Sequence, residues 1–277
     1  MYKLANRFYT KIFWLPLFFL LPHAAIAQDT VLNKYGLWVI NDMASYKKSI
    51  HNKPGFALAN VKKIIPNIAL DLKYAGTDNF TRQKLYPSGS NTYLRTKALL
   101  ALALVQKNLN RQGLGLKIFD AYRPYADTEL MWELVKDDRY SADPAKGSGH
   151  NRGIAVDLTI INLKTKKELN MGTGFDNFTD TAHHGFTALS KQILQNRLLL
   201  KTTMERYGFK AMDTEWWHYA LPDGKEYPLL NLNFNEFENK KTGYLNFPVF
   251  SSPVISPFAL IWIWAFNIHS AQPFCWR

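Results

Sequence analysis

Apolar and polar residues recur along the chain in patterns that predict two long helices. Residues 97–112 are rich in Ala and Leu and are followed by Gly113, a residue type that commonly ends a helix. Between residues 186 and 207, apolar side chains recur at three- and four-residue spacing, and Gly208 follows. This spacing places the apolar side chains on one face and predicts a second, amphipathic helix.

Shorter apolar segments predict strands. Strand character is present in residues 61–74, 116–119, 154–161 and 214–221. A third helix is predicted from Pro124 to about residue 136, since proline fits the first turn of a helix. Helices and strands alternate irregularly, without a repeated βαβ unit. This order predicts an α+β fold with a small, largely antiparallel sheet and flanking helices.

The first 27 residues have the pattern of a secretory signal peptide. Lysine and arginine residues precede an apolar run over residues 12–21, and Ala25-Ile26-Ala27 offers a small-x-small cleavage site. An uncleaved membrane anchor is the alternative, but the ten residues of this run are fewer than the about 20 that cross a bilayer. A cleaved signal peptide predicts export to the periplasm or cell envelope.

The rest of the chain divides into three parts. Residues 28–60 are weakly patterned and are interpreted as an N-terminal extension, whereas residues 61–240 are predicted to form one domain that carries the chemistry. Residues 241–277 form an apolar tail interrupted by prolines, whose longest apolar stretch, residues 258–266, is too short to span a membrane. Three interpretations of the tail stay open: an interfacial anchor with peripheral membrane contact, a partner-docking segment, or a sequence artefact.

Composition narrows the possible chemistry. Cys275 is the single cysteine, which excludes an internal disulfide, a cysteine nucleophile and a cysteine-based zinc site in the main domain. The formal net charge is +12. No block of Lys and Arg is interleaved with aromatic residues, so no nucleic acid is predicted as a partner. Acidic envelope polymers or lipid headgroups are the expected neighbours of a basic surface.

Two short motifs place histidines beside carboxylates. His150 and Asp157 lie in the sequence SGHNRGIAVD, and Glu215 and His218 lie in the sequence EWWH. A hydrolytic zinc site requires three protein ligands, a position left to water, and a carboxylate base that does not bind the metal. His150, Asp157 and His218 are therefore candidate zinc ligands at the sheet. Glu215 is the candidate base.

The spacing within each motif constrains the local structure. Residues seven apart lie on opposite faces of a straight strand, so His150 is expected in the glycine-rich turn over residues 147–153, with only Asp157 on the strand. Glu215 and His218 are three apart, and a bulge or twist is required to bring both to one ion. A single histidine is more often a surface or hydrogen-bonded residue than a ligand. A buried carboxylate such as Asp157, in contrast, requires a cation.

Arg123 lies at the predicted end of a strand in an apolar and aromatic setting, directly before Pro124. Its guanidinium can donate to a carbonyl oxygen that becomes an oxyanion, an interaction whose loss typically costs about 10²–10³ in turnover. It can equally form a structural ion pair with Asp120. The residues alone leave both roles open.

The order of these motifs resembles that of the D-alanyl-D-alanine metallopeptidases. The pattern S-x-H-x-x-G-x-A-x-D, followed about sixty residues later by E-W-W-H, is similar to that of the D-Ala-D-Ala dipeptidases. These are the zinc D,D-dipeptidases that include the vancomycin-resistance dipeptidase, and the similarity spans about residues 70–237. Supporting segments are residues 73–75, 78–81, 120–124, 171–172, 175–176 and 183–184.

The resemblance implies one zinc ion per chain, held by His150, Asp157 and His218. It also implies that Glu215 is the general base and that Arg123 polarises the scissile carbonyl. The zinc ligands and the base agree with the candidates that the residue types suggest.

For the substrate, the resemblance implies that Tyr74 and Asp176 hold the free amino group and that Ser148 lies near the carboxylate end. The implied reaction is hydrolysis of the dipeptide D-Ala-D-Ala to two D-alanines in the cell envelope. A D,D-carboxypeptidase that trims terminal D-alanine from peptidoglycan stem peptides is the alternative, although the segment Phe175-Asp176 favours the dipeptidase. A non-catalytic zinc-binding module is a third interpretation, which would require the base or the arginine to be missing.

Overall fold

The computed structural model describes residues 32–89 and 91–238. The predicted signal peptide, residues 1–27, and the predicted apolar tail, residues 241–277, lie outside the described residues. None of the helices in the described ranges is long and apolar enough to cross a membrane.

The described chain alternates short strands with helices. The strands are β1 (Val39–Ile40), β2 (Leu58–Asn60), β3 (Ala69–Leu70), β4 (Tyr93–Arg95), β5 (Leu114–Asp120), β6 (Ala155–Asn162), β7 (Lys210–Met212), β8 (Glu215–Ala220) and β9 (Leu229–Leu230). The α-helices are α1 (Met43–Ile50), α2 (Val61–Ile64), α3 (Thr96–Asn110), α4 (Tyr125–Leu134), α5 (Lys191–Arg206) and α6 (Phe234–Glu238).

A five-stranded sheet with the strand order β3-β5-β6-β8-β7 forms the centre of the fold. Strand β3 runs parallel to β5, and every other neighbouring pair is antiparallel. Helix α3 packs on β5, and helix α5 packs on β7 and β8. The predicted α+β fold with a small, largely antiparallel sheet and flanking helices is therefore confirmed.

Two small sheets join the N-terminal part of the described chain to the rest. Strand β1 pairs in parallel with β9, and β2 pairs with β4 in antiparallel orientation. Strands β1 and β2 both come from the segment that the sequence predicts to be an extension, residues 28–60. The predicted boundary at residue 60 falls between β2 and α2, two elements that contact each other.

Helix α3 confirms the helix predicted over residues 97–112. Its buried apolar side chains recur with helical spacing in the main hydrophobic core: Leu99, Leu102, Val105 and Leu109. Gly113 follows the helix with a φ of 71°, a left-handed conformation that glycine adopts without steric cost.

The predicted starts of the other two helices differ from the structure by five residues for α5 and by one residue for α4. Helix α5 begins at Lys191 and not at residue 186, because the Ser190 hydroxyl accepts a hydrogen bond from the Ile193 N–H (3.4 Å) and caps the helix there. Pro124 is the residue before α4, with non-helical backbone angles (φ −53°, ψ 144°), so that helix begins at Tyr125 and ends at Leu134. The cap at Ser190 thus overrides the apolar period at the start of α5.

The continuous strand predicted over residues 61–74 was wrong. The Asn60 side chain accepts a hydrogen bond from the Lys63 N–H (3.2 Å) and starts the short helix α2. Pro66 follows, and only Ala69–Leu70 pair as strand β3. A capping residue and a proline therefore interrupt a segment whose apolar content had indicated a strand.

The remaining strand predictions hold with small changes. Strands β6 and β8 confirm the strands predicted over residues 154–161 and 214–221, and β5 extends the strand predicted over residues 116–119 at both ends. Strand β7, the hairpin partner of β8, was missed because its three residues are too few for a period to stand out.

Candidate metal centre

Three acidic and basic side chains form one row across the central sheet. Asp120 on β5 pairs in register with Asp157 on β6, and Asp157 pairs with His218 on β8. Residues that face each other on neighbouring antiparallel strands project to the same side of the sheet. The row therefore brings a histidine from one strand to a carboxylate that precedes it by 61 residues along the chain.

His150 completes this group from the turn before β6, as its spacing predicts. Its Nε2 lies 3.3 Å from Asp157 Oδ2 and 3.3 Å from His218 Nδ1. His218 Nδ1 lies 2.9 Å from Asp157 Oδ1. The three side chains each offer one ligand atom within 4.8 Å of the others. We call His150, Asp157 and His218 the metal-ligand group.

The chemistry of this group fits a divalent metal ion. His150 Nδ1 donates to the Ala121 carbonyl at 2.7 Å, since a carbonyl oxygen can only accept. The proton is thereby held on Nδ1, and the Nε2 lone pair is directed at the other two members. Two imidazole nitrogens and a carboxylate, with a backbone carbonyl orienting one ring, form a donor set typical of a metal centre. His150 and Asp157 are buried, and His218 is partly exposed.

Charge pairing inside the group is strong. Burial acts to raise the pKa of Asp157, but the neighbouring His150 and His218 outweigh it and hold the pKa well below its ordinary value. Burial acts in the opposite direction on His218, where Asp157 and Glu215 raise the pKa. A positive charge beside Asp157 thus favours its ionised form, which agrees with the expectation that this buried carboxylate requires a cation.

Glu215 lies beside the metal-ligand group at the start of β8. Its Oε2 is 3.8 Å from His218 Nδ1. In the β7–β8 hairpin, Ala211 pairs with Tyr219 but Met212 pairs with Glu215, so that three residues of β8 have no partner on β7. This irregularity is the bulge that the spacing of Glu215 and His218 requires. Burial raises the pKa of Glu215 to about 8.

Arg123 forms the ion pair that the sequence left as one of two alternatives. Its Nε and Nη2 donate to Asp120 Oδ2 at 3.0 and 2.7 Å. Asp120 also accepts hydrogen bonds through Oδ1 from the Tyr86 hydroxyl and the Ala121 N–H, both at 2.9 Å. Within the described residues, no protein group accepts a hydrogen bond from Arg123 Nη1. The pair therefore orients the guanidinium and leaves one nitrogen for another acceptor.

Tyr74 and Asp176 meet across 102 residues of sequence. The Tyr74 hydroxyl lies 3.1 Å from both carboxylate oxygens of Asp176. The Tyr74 ring lies 5.3 Å from the Arg123 guanidinium carbon, and the Phe175 ring contacts both Tyr74 and Trp217. We call Tyr74, Phe175 and Asp176 the Asp176 wall.

Asp176 is electrostatically unlike Asp157. Burial and the negative charge of Asp157 raise its pKa to about 7, against smaller opposing effects of the Tyr74 hydroxyl, Arg123 and the Phe80 N–H. Its backbone has a φ of 57°, a left-handed conformation that aspartate tolerates better than most residues. Among the described residues, no cationic side chain forms an ion pair with Asp176.

Ser148 lies in the turn that carries His150. Its hydroxyl accepts a hydrogen bond from the His150 N–H at 3.1 Å, and its side chain is buried. This contact supports the turn. The role near a substrate carboxylate that the resemblance implies for Ser148 stays a prediction.

Sequence reasoning missed two contributors to the site. Tyr86 binds the carboxylate of Asp120, and Asn151 connects the turn of His150 to the segment of Arg123. Neither residue carries a local signal, because a tyrosine in a loop and an asparagine in a turn are ordinary in any fold. Asp120 was considered only as a partner of Arg123, and its place in the row with Asp157 depends on strand register.

The chain matches a family model. Residues 55–240 match the model of the M15 peptidases, described as D-Ala-D-Ala dipeptidase. A D-alanyl-D-alanine dipeptidase of Escherichia coli (strain K12) is 35% identical over 189 residues, which cover 68% of this chain and 97% of the relative. Dipeptidases of the same name from Enterococcus faecalis and Enterococcus faecium are 32% and 34% identical, and the matches cover 62% and 60% of this chain and 94% and 91% of the relatives.

A solved structure, that of the LdcB LD-carboxypeptidase, matches 48% of this chain and 62% of its own at 21% identity. Its TM-score of 0.31 is too low to support an argument about fold or substrate. The family model, in contrast, matches most of the chain, and the dipeptidase from E. coli is matched over nearly its whole length. The chain therefore belongs to the D-Ala-D-Ala dipeptidase family of M15 peptidases and is a metallopeptidase.

Proposed function

We propose that this protein hydrolyses the dipeptide D-Ala-D-Ala to two D-alanines with one zinc ion per chain. The observation that carries the proposal is the convergence of His150, Asp157 and His218 within 4.8 Å, with the carboxylate of Glu215 3.8 Å from His218. Family membership and the printed names of the relatives support the substrate.

Zinc would be held by His150 Nε2, His218 Nδ1 and a carboxylate oxygen of Asp157. When bound, zinc acts as a Lewis acid and lowers the pKa of coordinated water towards about 7. Two imidazoles and one carboxylate leave a position for such a water, as hydrolytic zinc sites require. The partly exposed His218 and the buried His150 and Asp157 would give the site one open side.

Glu215 would transfer the proton in this reaction. Its carboxylate would accept a proton from the attacking water and later deliver it to the leaving amine, a role that typically contributes about 10²–10⁴ in rate. Burial raises the pKa of Glu215 to about 8 in the metal-free protein, and the positive charge of a bound zinc ion would act in the opposite direction, towards the ionised form that accepts the proton.

Arg123 would stabilise the negative charge that develops on the scissile carbonyl oxygen. Asp120 holds Nε and Nη2 of Arg123, so the guanidinium is oriented before the substrate binds and Nη1 is available to donate. The structural ion pair and the oxyanion contact are then two parts of one arrangement. They do not compete.

The Asp176 wall would hold the free amino group of the dipeptide. Asp176 is an acid without an ion pair among the described residues, and the Tyr74 hydroxyl adds a second polar group. A substrate whose amine is acylated would leave this carboxylate without its cation, which accounts for selectivity for a free dipeptide. Ser148 is proposed to lie near the carboxylate end of the substrate.

We further propose that residues 1–27 are a cleaved signal peptide and that the enzyme works in the periplasm or cell envelope. The support is the charged start, the apolar run and the small-x-small site in the sequence. For residues 241–277, peripheral membrane contact is proposed because the tail is apolar and contains a pair of tryptophans. Residues 61–240 are proposed as the catalytic domain.

The test is a turnover assay of the mature protein on D-Ala-D-Ala, with and without a metal chelator. Near-complete loss of turnover is expected after chelation and in Glu215→Gln, with recovery on addition of zinc to the chelated parent. Glu226→Gln, which changes an exposed glutamate, is the matched control and should retain parental turnover. Turnover that persists under chelation, or in Glu215→Gln, would contradict the proposed mechanism.

An N-acylated tripeptide that ends in D-Ala-D-Ala tests the substrate. The Asp176 wall predicts turnover of the free dipeptide and little or none of the acylated peptide. Faster turnover of the acylated peptide would favour the D,D-carboxypeptidase instead.

A further inference from the structure

Asn151 is a fully buried residue whose side-chain amide connects two loops of the site. Its Oδ1 accepts a hydrogen bond from the Ser148 N–H at 3.0 Å, which closes the turn around His150. Its Nδ2 donates to the Arg123 carbonyl at 3.0 Å and to the Thr128 hydroxyl at 2.8 Å. The amide oxygen of Asn151 thus binds within its own turn, and the amide N–H groups bind the segment that carries Arg123.

The same two segments are joined by two more hydrogen bonds. The Arg123 N–H donates to the His150 carbonyl at 3.2 Å, and His150 Nδ1 donates to the Ala121 carbonyl at 2.7 Å. The first of these bonds uses only backbone groups, and the second uses the proposed ligand itself. Asn151 therefore supplies a second side-chain hydrogen bond between the two segments. Unlike His150, Asn151 has no proposed contact with metal or substrate.

The consequence of this connection is geometric. Asp120 orients the guanidinium of Arg123, but nothing in that ion pair fixes how far Arg123 lies from His150. Sites of this kind require placement within about 0.5 Å of the productive geometry. Asn151 directly follows His150 in the chain. The hydrogen bond from its amide to the Arg123 carbonyl therefore connects the backbone of Arg123 to the turn of His150.

We propose that Asn151 is a positioning residue that holds the metal ligand His150 and the oxyanion-stabilising Arg123 at a constant separation. This inference rests on the proposed function, in which both residues act on one substrate. Loss of the Nδ2 donors leaves the Arg123 carbonyl without this bond, so that the two remaining hydrogen bonds hold the separation of the loops less firmly. Metal affinity and turnover both fall, while substrate binding at the Asp176 wall is preserved.

The main test is Asn151→Asp, which keeps an oxygen for the Ser148 N–H and removes both donors. Zinc affinity is measured by competition with a chromophoric chelator, and kcat and KM are measured on D-Ala-D-Ala. We expect zinc affinity and kcat each to fall about 10-fold or more, with KM within about threefold of the parent, because changes behind a ligand typically cost 10–100-fold.

Gln106→Glu is the matched control. Gln106 is also a buried amide, and its Oε1 accepts a hydrogen bond from the Leu116 N–H at 2.8 Å, near the start of β5 rather than at its Asp120 end. This variant is expected to lower the melting temperature but to leave zinc affinity and kcat within about twofold of the parent. Equal losses of zinc affinity and kcat in both variants would show that Asn151 only stabilises the fold as a whole, and would overturn the proposal.

A second pair of variants keeps the test decisive if Asn151→Asp does not fold. Thr128→Val removes one partner of Asn151 with little change of shape, and Thr128→Ser restores the hydroxyl. We expect a smaller loss of kcat and zinc affinity in Thr128→Val and recovery in Thr128→Ser. Parental zinc affinity and kcat in Thr128→Val would overturn the proposal. If the parent binds zinc but does not hydrolyse D-Ala-D-Ala, the proposed function fails, and the zinc-affinity measurements alone decide the role of Asn151.

Discussion

The metal-ligand group and the Asp176 wall lie next to each other but are built differently. The metal-ligand group stands on paired strands and on a turn hydrogen-bonded to the neighbouring segment. The Asp176 wall depends on the long connection between β6 and α5, residues 163–190, which contains no strand of the central sheet. Strand pairing determines the first position, and side-chain contacts determine the second.

The two regions also differ in how their charges are balanced. Asp157 has two histidines within hydrogen-bonding range, and they keep its pKa low in spite of burial. Asp176 has the Tyr74 hydroxyl, and its pKa is raised to about 7. The metal-ligand group already holds two imidazole nitrogens beside its carboxylate, and a bound metal ion would complete its charge balance. At the Asp176 wall, the cationic end of the substrate is expected to complete it.

The largest effect should follow from Asp157→Asn, which breaks the charge pairing of the metal-ligand group. Because changes behind a ligand already cost about 10–100-fold, removing a ligand should lower both zinc affinity and turnover by more than about 100-fold. Metal content after dialysis and turnover on D-Ala-D-Ala are the measurements. Asp138→Asn, an exposed aspartate paired with Lys146, is the control and should retain zinc. A full equivalent of zinc in Asp157→Asn would show that this carboxylate is not a ligand.

Arg123→Lys tests the residue that lies between the two regions. Lysine keeps the charge but cannot reproduce the two hydrogen bonds from Nε and Nη2 to Asp120 Oδ2, so the donor to the carbonyl oxygen is lost or misplaced. We expect kcat to fall about 10²–10³-fold with zinc content unchanged. A rise in KM with unchanged kcat would place Arg123 in ground-state binding instead.

Asp176→Asn tests the Asp176 wall and should raise KM about 10- to 100-fold, since hydrogen bonds to charged groups contribute about 1.5–3 kcal/mol. In the parent, KM should also rise as the pH falls through about 7, where Asp176 becomes protonated. The groups that act on this titration are the Tyr74 hydroxyl, the Phe80 N–H, Arg123, Asp157 and Glu215. A KM that is independent of pH in the parent between pH 6 and 8 would argue against binding of an ammonium by Asp176.

The same substitution predicts the direction of a stability change. The pKa of Asp176 is about 7 in the folded protein and 3.8 in an ordinary, solvated aspartate, so the folded state binds the proton more tightly. The contribution of Asp176 to stability is therefore lost as the pH rises from about 4 to about 7. The melting temperature of Asp176→Asn minus that of the metal-free parent should therefore be more positive at pH 8 than at pH 4. An equal difference at both pH values would contradict the raised pKa.

The smallest effect on activity is expected for Arg197→Lys, which loosens the connection that carries the Asp176 wall. Arg197 on α5 donates from Nε, Nη1 and Nη2 to the carbonyls of Met171, His183 and Thr181. Lysine cannot reach three acceptors in this planar arrangement. We expect a lower melting temperature and a KM raised by no more than about threefold, with zinc affinity unchanged, because the metal-ligand group does not depend on this connection.

Much of the metal-ligand group is predictable from local sequence patterns. Glycines around His150 indicated a turn, and an apolar strand around Asp157 indicated a buried acid that needs a cation. Helix α3 and strands β6 and β8 were also predictable, because each has enough residues to show a period and a local stop signal. These features depend on neighbours within a few residues, and such information is present in any short window of the chain.

The contacts between residues far apart in the chain are visible only in the folded protein. The register of β6 and β8 places Asp157 against His218, the bulge opposite β7 brings Glu215 to the same group, and Tyr74 reaches Asp176 across 102 residues. The bridge from Asn151 to Arg123 had no signal in the sequence. Strand register and loop contacts result from packing and hydrogen bonding between segments far apart in the chain, and no local pattern of residues specifies them.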